Sequence, residues 1–196
     1  MFNNRQPLIL ASASPRRQEM LRGLGIAFTV RPAAIAEEPR TGESPAAFAA
    51  RLAGEKARAV AAGLGPDSWV LAADTVVAVA EQILGKPADA AVAEAMLLKL
   101  SDRWHTVFSA FCLLRENEAH GEVVATEVRF APASPELIAA YVATGEPLDK
   151  AGAYGIQGLG GVLVREIRGS HSNVIGLPLA EVVAALLAQG VIACGS

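Results

Sequence analysis

LILASASPRRQEML, residues 8–21, decides how the chain reads. PLILA at 7–11 is a short apolar run, as a buried strand is, and from Pro15 the pattern turns helical through residue 24. Ser14 stands where an N-cap stands and Pro15 at the first helical position. A strand that runs directly into a helix is the opening of an α/β unit. The junction holds an oddity, because Arg16 and Arg17 occupy the first turn, where the helix already carries partial positive charge and favours Asp or Glu. Two guanidinium groups there cost stability unless an anion is shared, so the stretch predicts an anion at this helix start.

Outward from it the same Ser-Pro opening recurs at Ser44-Pro45 and Ser134-Pro135. Helices are predicted over 45–62, 88–100, 135–143 and 178–189, and strands over 27–31, 69–73, 76–80, 104–114, 122–130 and 161–167. The 104–114 and 122–130 strands, joined across the polar ENEAHGE, read as an antiparallel hairpin. Alternating strands and helices followed by a hairpin imply an α/β fold with a mixed sheet and flanking helices. With neither a low-complexity linker nor a repeat, residues 1–196 are expected to form a single domain.

Composition removes several classes of function. A net charge of -3 without a Lys/Arg run argues against nucleic-acid binding as the main role, so any positive site must be local. Cys112 and Cys194 lie far apart with no CxxC pair, which suits a reduced cytoplasmic protein. MFNNRQPLIL is too briefly apolar for a signal peptide, and no run of about 18 apolar residues suggests a membrane span. His105, His120 and His171 show no zinc spacing, and neither GxSxG nor GxGxxG is present where its chemistry would need it.

Polar residues at the ends of apolar runs are the informative ones. Asp74 and Thr75 stand between WVLAA and VVAVA, where an uncompensated carboxylate would be expensive. Asp74 is either a functional acid or the cap of a bulge or turn between two strands. Lys86 in LGKP is a site lysine or a solvated one, since no P-loop surrounds it. Lys56 in GEKARA could equally pair with Glu55 at the surface. LDKAGAYGIQGLGG, residues 148–161, mixes glycines with Tyr154, Ile156 and Gln157, which predicts a shaped, partly buried loop over a solvated linker.

Taken together and in order, ASASPRR, IAEEP, EKA, AADT, LGKP, AGAYGIQG and SNVIGLP resemble the Maf-like nucleoside triphosphate pyrophosphatase family from about Leu8 to Leu187. AADT and KAGAYGIQG are similar to its dTTP/UTP-directed branch. The resemblance implies two lobes around a central cleft, a cytoplasmic homodimer, a divalent cation (Mg²⁺ or Mn²⁺) and hydrolysis of a nucleoside triphosphate to monophosphate and pyrophosphate. It places Ser12, Arg16 and Arg17 at the phosphate-binding loop, Lys56 and Lys86 as functional lysines, and Asp74 as proton acceptor. Glu37 joins Asp74 toward the metal, while Arg16, Thr75 and Gln157 tune base choice. On this picture the arginines offer forked hydrogen bonds to phosphate and favour their position only with ligand bound.

A glutamine amide can pair with N3–H and O4 of uracil or thymine, and flipped with cytosine, so neighbouring groups must hold Gln157 one way round. Two alternatives stay open: the same chemistry on another base, such as 7-methyl-GTP, and a regulator of cell division that senses nucleotides without hydrolysing them. The chain departs from the family's usual pattern at Ala13, Asp102, His171 and FSAF at 108–111.

Overall fold

The computed structural model describes residues 1–65 and 67–195. Along the chain come β1 (Phe2–Asn4), β2 (Leu8–Leu10), α1 (Pro15–Gly23), β3 (Thr29–Val30), α2 (Pro45–Ala61), β4 (Trp69–Val79), β5 (Gln82–Leu84) and α3 (Ala90–Leu100). The hairpin β6 (Trp104–Arg115) and β7 (Glu118–Phe130) follows, then α4 (Pro135–Ala143), β8 (Val164–Arg168), α5 (His171–Ile175), α6 (Leu179–Ala188) and β9 (Ile192–Cys194). The central sheet runs β3-β2-β4-β6-β7-β8, with β5 on β4. β2 is parallel to both neighbours and every other pair is antiparallel, so the fold is the mixed-sheet α/β type that the sequence implies. β1 and β9 pair separately and tie the two ends of the chain together. No helix among the described residues is long and apolar enough to cross a membrane.

Three Ser-Pro helix starts behave as the local code requires. Ser14, Ser44 and Ser134 each accept a hydrogen bond from the backbone N–H three residues on, with proline at the first turn. Asp102 takes a left-handed φ of 52°, a conformation that a short polar side chain tolerates.

Strand β4 is the spine, and its period of two sorts its side chains onto two faces. Val70, Ala72 and Val76 pack with Phe48, Leu52 and Ala53 of α2 on one face. On the other face Trp69, Leu71 and Ala73 join a cluster under α1 and α6, while Val77 joins a second cluster with α3, α4 and Tyr154. These two apolar clusters flank Thr75, and the polar gap between them is where the cleft lies.

The structure corrects three sequence expectations. Trp69–Val79 is one eleven-residue strand in place of two, with Asp74 opposite Ala110 and Thr75 opposite Ser109 in an unbroken ladder. Asp74 therefore caps no bulge or turn; its charge is compensated by a side chain from α2, so the ladder need not break. ENEAHGE is mostly strand, since only Glu116 and Asn117 turn, with Glu116 at φ 50°. Such two-residue turns match the twist of the strands they join, and the exposed polar start of β7 disguises it as loop. The last predicted strand begins at Val164, because Leu159–Leu163 form a 3₁₀ turn.

Gly121 sits opposite Cys112 in the β6–β7 pair, and a Cβ there would run into the Phe111 carbonyl oxygen, a backbone atom that cannot swing aside. Gly121→Ala is expected to destabilise the fold by about 1–3 kcal/mol, read from the denaturant midpoint. A midpoint equal to wild type would show that the hairpin is looser than its register implies.

Candidate active site

On the edge of β4 away from β6, parallel β2 pairs with residues 69–71 and antiparallel β5 with 77–79. Residues 72–76 between them have no strand partner on that edge among the described residues. A cleft of about 590 Å³ opens there, at the end of β2 where α1 begins. All nine side chains singled out from the sequence line this cleft.

Asp74 and Thr75 are adjacent and so leave β4 on opposite faces. Asp74 meets α2: Lys56 Nζ lies 2.6 Å from Asp74 Oδ1 and 2.6 Å from Glu37 Oε1. The Lys56 and Asp74 side chains are 10% and 9% exposed, whereas Glu37 is 43% exposed, so a buried pair is joined by an acid from the rim. Lys56 does not pair with Glu55, which binds Arg40 and Arg51 instead. Burial pushes the Asp74 carboxyl above its usual range, and Lys56 and Arg17 only partly offset this. Burial works in the same direction on Glu37, but Lys56, with Lys86 and Arg17 behind it, overcomes it and holds that carboxyl below its usual range.

Thr75 meets α1 on the other face. Arg17 donates from Nε to the Gly176 carbonyl (2.8 Å), from Nη1 to Ala73 O (2.9 Å) and Ser12 Oγ (3.2 Å), and from Nη2 to Thr75 Oγ1 (3.0 Å). Four of the five guanidinium N–H groups are thereby committed to the protein. The expectation that both arginines are at ease only with ligand bound fails for Arg17, whose charge is met by carbonyls and hydroxyls from β4, α5 and the loop before α1. Its fork is not free to grip phosphate in two-pronged fashion. The Thr75 hydroxyl is likewise turned to Arg17, to Ser109 Oγ at 2.8 Å and to Gly176 O at 3.2 Å.

Arg16 and Lys86 are the least committed cations of the rim among the described residues. Arg16 makes one long contact with Asp149 (3.6 Å), a pair in which the acid is mostly exposed and the distance too long for much energetic weight. Lys86, exposed on the turn after β5, has no ion-pair partner among the described residues. Across from them the 148–161 segment winds through 3₁₀ turns and buries Tyr154, whose hydroxyl lies 2.8 Å from His105 Nε2. Gly152, at φ 69°, permits that path, since a Cβ there would come within 2.8 Å of Val77. Gln157 is exposed at the cleft wall and its amide makes no hydrogen bond among the described residues.

Sequence reasoning overlooked the side chains that hold these groups in place. Asn173 is fully buried, accepts from Ser109 N–H (3.1 Å) and donates to Val107 O (3.0 Å) and Thr126 Oγ1 (2.9 Å), which fixes α5 and hence Gly176. Arg51 binds both Glu43 oxygens at 2.6 and 2.7 Å and the Glu38 carbonyl at 2.9 Å, which pins the segment that carries Glu37. The only signal available was the Arg51/Glu55 spacing of four residues on a helix.

Among the described residues no group of three His, Cys, Asp or Glu side chains comes together. Asp74 and Glu37 both converge on the Lys56 ammonium, and two carboxylates are a donor set that suits Mg²⁺, which is commonly held by one or two carboxylates with waters and substrate phosphates. The residues present fit a cation that arrives with a polyphosphate better than a resident one.

Removing the shared ammonium tests the electrostatics. Lys56→Met leaves Asp74 buried without its partner and is expected to cost about 3 kcal/mol at neutral pH. The sign follows from linkage: without Lys56 the Asp74 pKa rises further, so the folded state loses stability as pH climbs above the unfolded value of 3.8, and the stabilisation that the lowered Glu37 pKa gives the wild type above 4.5 is absent from the variant. The melting deficit relative to wild type is therefore expected to be largest at neutral pH and to narrow on acidification. A deficit independent of pH would show that Lys56 contributes through packing alone.

Residues 7–189 match the Maf-like protein family. A dTTP/UTP pyrophosphatase of Desulfotalea psychrophila is 53% identical over 194 residues, 98% of this chain and 99% of that one. Another of Myxococcus xanthus is 52% identical over 183 residues, 93% and 92% of the two chains. Among solved structures, a nucleoside-triphosphatase / dITP/XTP pyrophosphatase of Mycobacterium abscessus aligns over 93% of this chain and 95% of that one at 20% identity and a TM-score of 0.44, too distant to bear on this site. On the strength of the near full-length match and these relatives, the chain belongs to the Maf-like family.

Proposed function

We propose that this chain acts as one domain that hydrolyses dTTP and UTP to the nucleoside monophosphate and pyrophosphate. The observation that carries this is the buried Lys56–Asp74 contact on the floor of a cleft whose rim bears Arg16 and Lys86, with Glu37 alongside. An anion sensor would gain nothing from two carboxylates among its cations; a phosphate hydrolase needs a proton acceptor there. The relatives named above, similar over their whole length, carry the same substrate assignment.

In the proposed reaction a water oxygen attacks the α-phosphorus, its proton passes to the Asp74 carboxylate, and the bond from the α-phosphorus to the bridging oxygen breaks to release pyrophosphate. Burial makes Asp74 a stronger base than an exposed aspartate, while the Lys56 ammonium opposes that shift and favours the carboxylate form. Lys56 has a third N–H for a phosphate oxygen beyond its two carboxylate contacts. Arg16 and Lys86 take the charge growing on the leaving pyrophosphate, and Arg17 supplies positive potential from a fixed position. Asp74 and Glu37 would hold Mg²⁺ or Mn²⁺, which supplies charge compensation and a lowered water pKa. The Gln157 amide meets N3–H and O4 of the base. A single methyl is worth only about 1–3 kcal/mol of discrimination, so acceptance of both thymine and uracil is consistent with one pocket.

Pyrophosphate release measured across a nucleotide panel with Mg²⁺ or Mn²⁺ is expected to favour dTTP and UTP. Preference for 7-methyl-GTP would reassign the base, and UTP-dependent thermal stabilisation without any cleavage would establish a sensor. Asp74→Asn is expected to lower turnover by ~10²–10⁴-fold while the protein stays folded by circular dichroism. Near-normal turnover in that folded variant would remove Asp74 from the role.

A further inference from the structure

The Gln157 amide makes no hydrogen bond among the described residues, so its orientation depends on the backbone that carries it. We infer that Glu146 is the positioning residue for this end of the cleft: its carboxylate holds the 155–160 loop in the shape that presents Gln157. The inference rests on the pyrimidine assignment above and extends it to a side chain that does not line the cleft.

Glu146 Oε2 accepts the Leu159 N–H at 2.9 Å, and Oε1 accepts the Gly160 N–H at 3.1 Å and the Tyr141 hydroxyl at 2.8 Å. That hydroxyl in turn accepts the Gly155 N–H at 3.2 Å. One carboxylate and one phenol thus satisfy backbone donors on both sides of Gln157. Such bonds to an ionised acceptor are roughly twice as strong as neutral ones. The Glu146 backbone is itself fixed by Lys150 Nζ, which donates to its carbonyl at 2.7 Å.

The glycines that make AGAYGIQGLGG conspicuous follow from this clamp. Gly158 has no left-handed φ to explain it, yet a Cβ at that position would run into Glu146 Oε2 and come within 2.6 Å of Oε1. A Cβ at Gly160 would strike the Tyr141 hydroxyl. Glycine is needed there so that the carboxylate and the phenol can reach the peptide groups.

The test compares kcat/KM for UTP and CTP together with inhibition by inorganic tripolyphosphate, which has no base. Glu146→Ala is expected to lower kcat/KM for UTP about tenfold, mainly through KM, and to narrow the UTP-over-CTP preference. Tripolyphosphate inhibition should not change. Glu146→Gln keeps one carbonyl acceptor and should fall between, which preserves the test if the alanine variant does not fold. Gly158→Ala should reproduce the loss when Glu146 is present and add nothing in the Glu146→Ala background, where the obstructing oxygen is gone. An unchanged UTP:CTP ratio, a parallel loss of tripolyphosphate inhibition, or additive effects of the two substitutions would each overturn the clamp. A wild-type protein that cleaves no pyrimidine triphosphate overturns the parent assignment and the clamp with it; one that cleaves UTP while Glu146→Ala keeps the ratio overturns the clamp alone.

Discussion

The contact between Lys56 and Asp74 is the constraint around which the rest is arranged. A carboxylate in the middle strand of a seven-stranded sheet is costly unless an opposite charge reaches it. Helix α2, packed over this face, supplies that charge, and its remaining inward positions are small or apolar. Because the ammonium compensates Asp74, β4 runs unbroken through the polar position, and both apolar clusters on its other face hang from a single strand. The same ammonium draws in Glu37 from a segment held by Arg51, so stability and the proposed chemistry draw on one charge.

The second determinant is geometric. Adjacent residues of a strand point to opposite faces, and Asp74 and Thr75 therefore serve two separate polar networks. Asp74 faces Lys56 and Glu37, while Thr75 faces Arg17, Ser109 and Gly176. The interrupted edge of β4 lets both networks open into one cleft. Arg17 is better described as part of the scaffold of that cleft than as a free phosphate grip, whereas Arg16 makes only its long contact with Asp149 and Lys86 has no ion-pair partner among the described residues.

Much of this was legible because it is written in short-range code. Ser-Pro starts predicted helices to within one or two residues, and the apolar runs marked most of the strands. Asp74 and Thr75 were legible as polar interruptions of an apolar run, whereas Ser12, Glu37 and the expected roles of the other candidates came from the ordered set of motifs, since Lys56 or Lys86 alone is indistinguishable from a solvated lysine. Hidden from view were the Glu116–Asn117 turn, whose exposed strand flank reads as loop, and the short β1–β9 pair, whose partners lie at opposite ends of the chain. Asn173 and Glu146 were missed for a related reason: each is one ordinary polar residue whose importance lies in which distant backbone groups it reaches.

The amino-acid sequence alone therefore determined the α/β class, the capped helix starts, the family and nine of the residues that line the cleft, because local periodicity and motif order survive without coordinates. Only the tertiary structure decided which acid meets which base, that Arg17 is satisfied by the protein itself, and that a glycine-rich loop is shaped by a carboxylate. Those outcomes depend on distances between segments remote in the chain, and a charge's energy depends on burial and on the partner it meets, neither of which a linear pattern records.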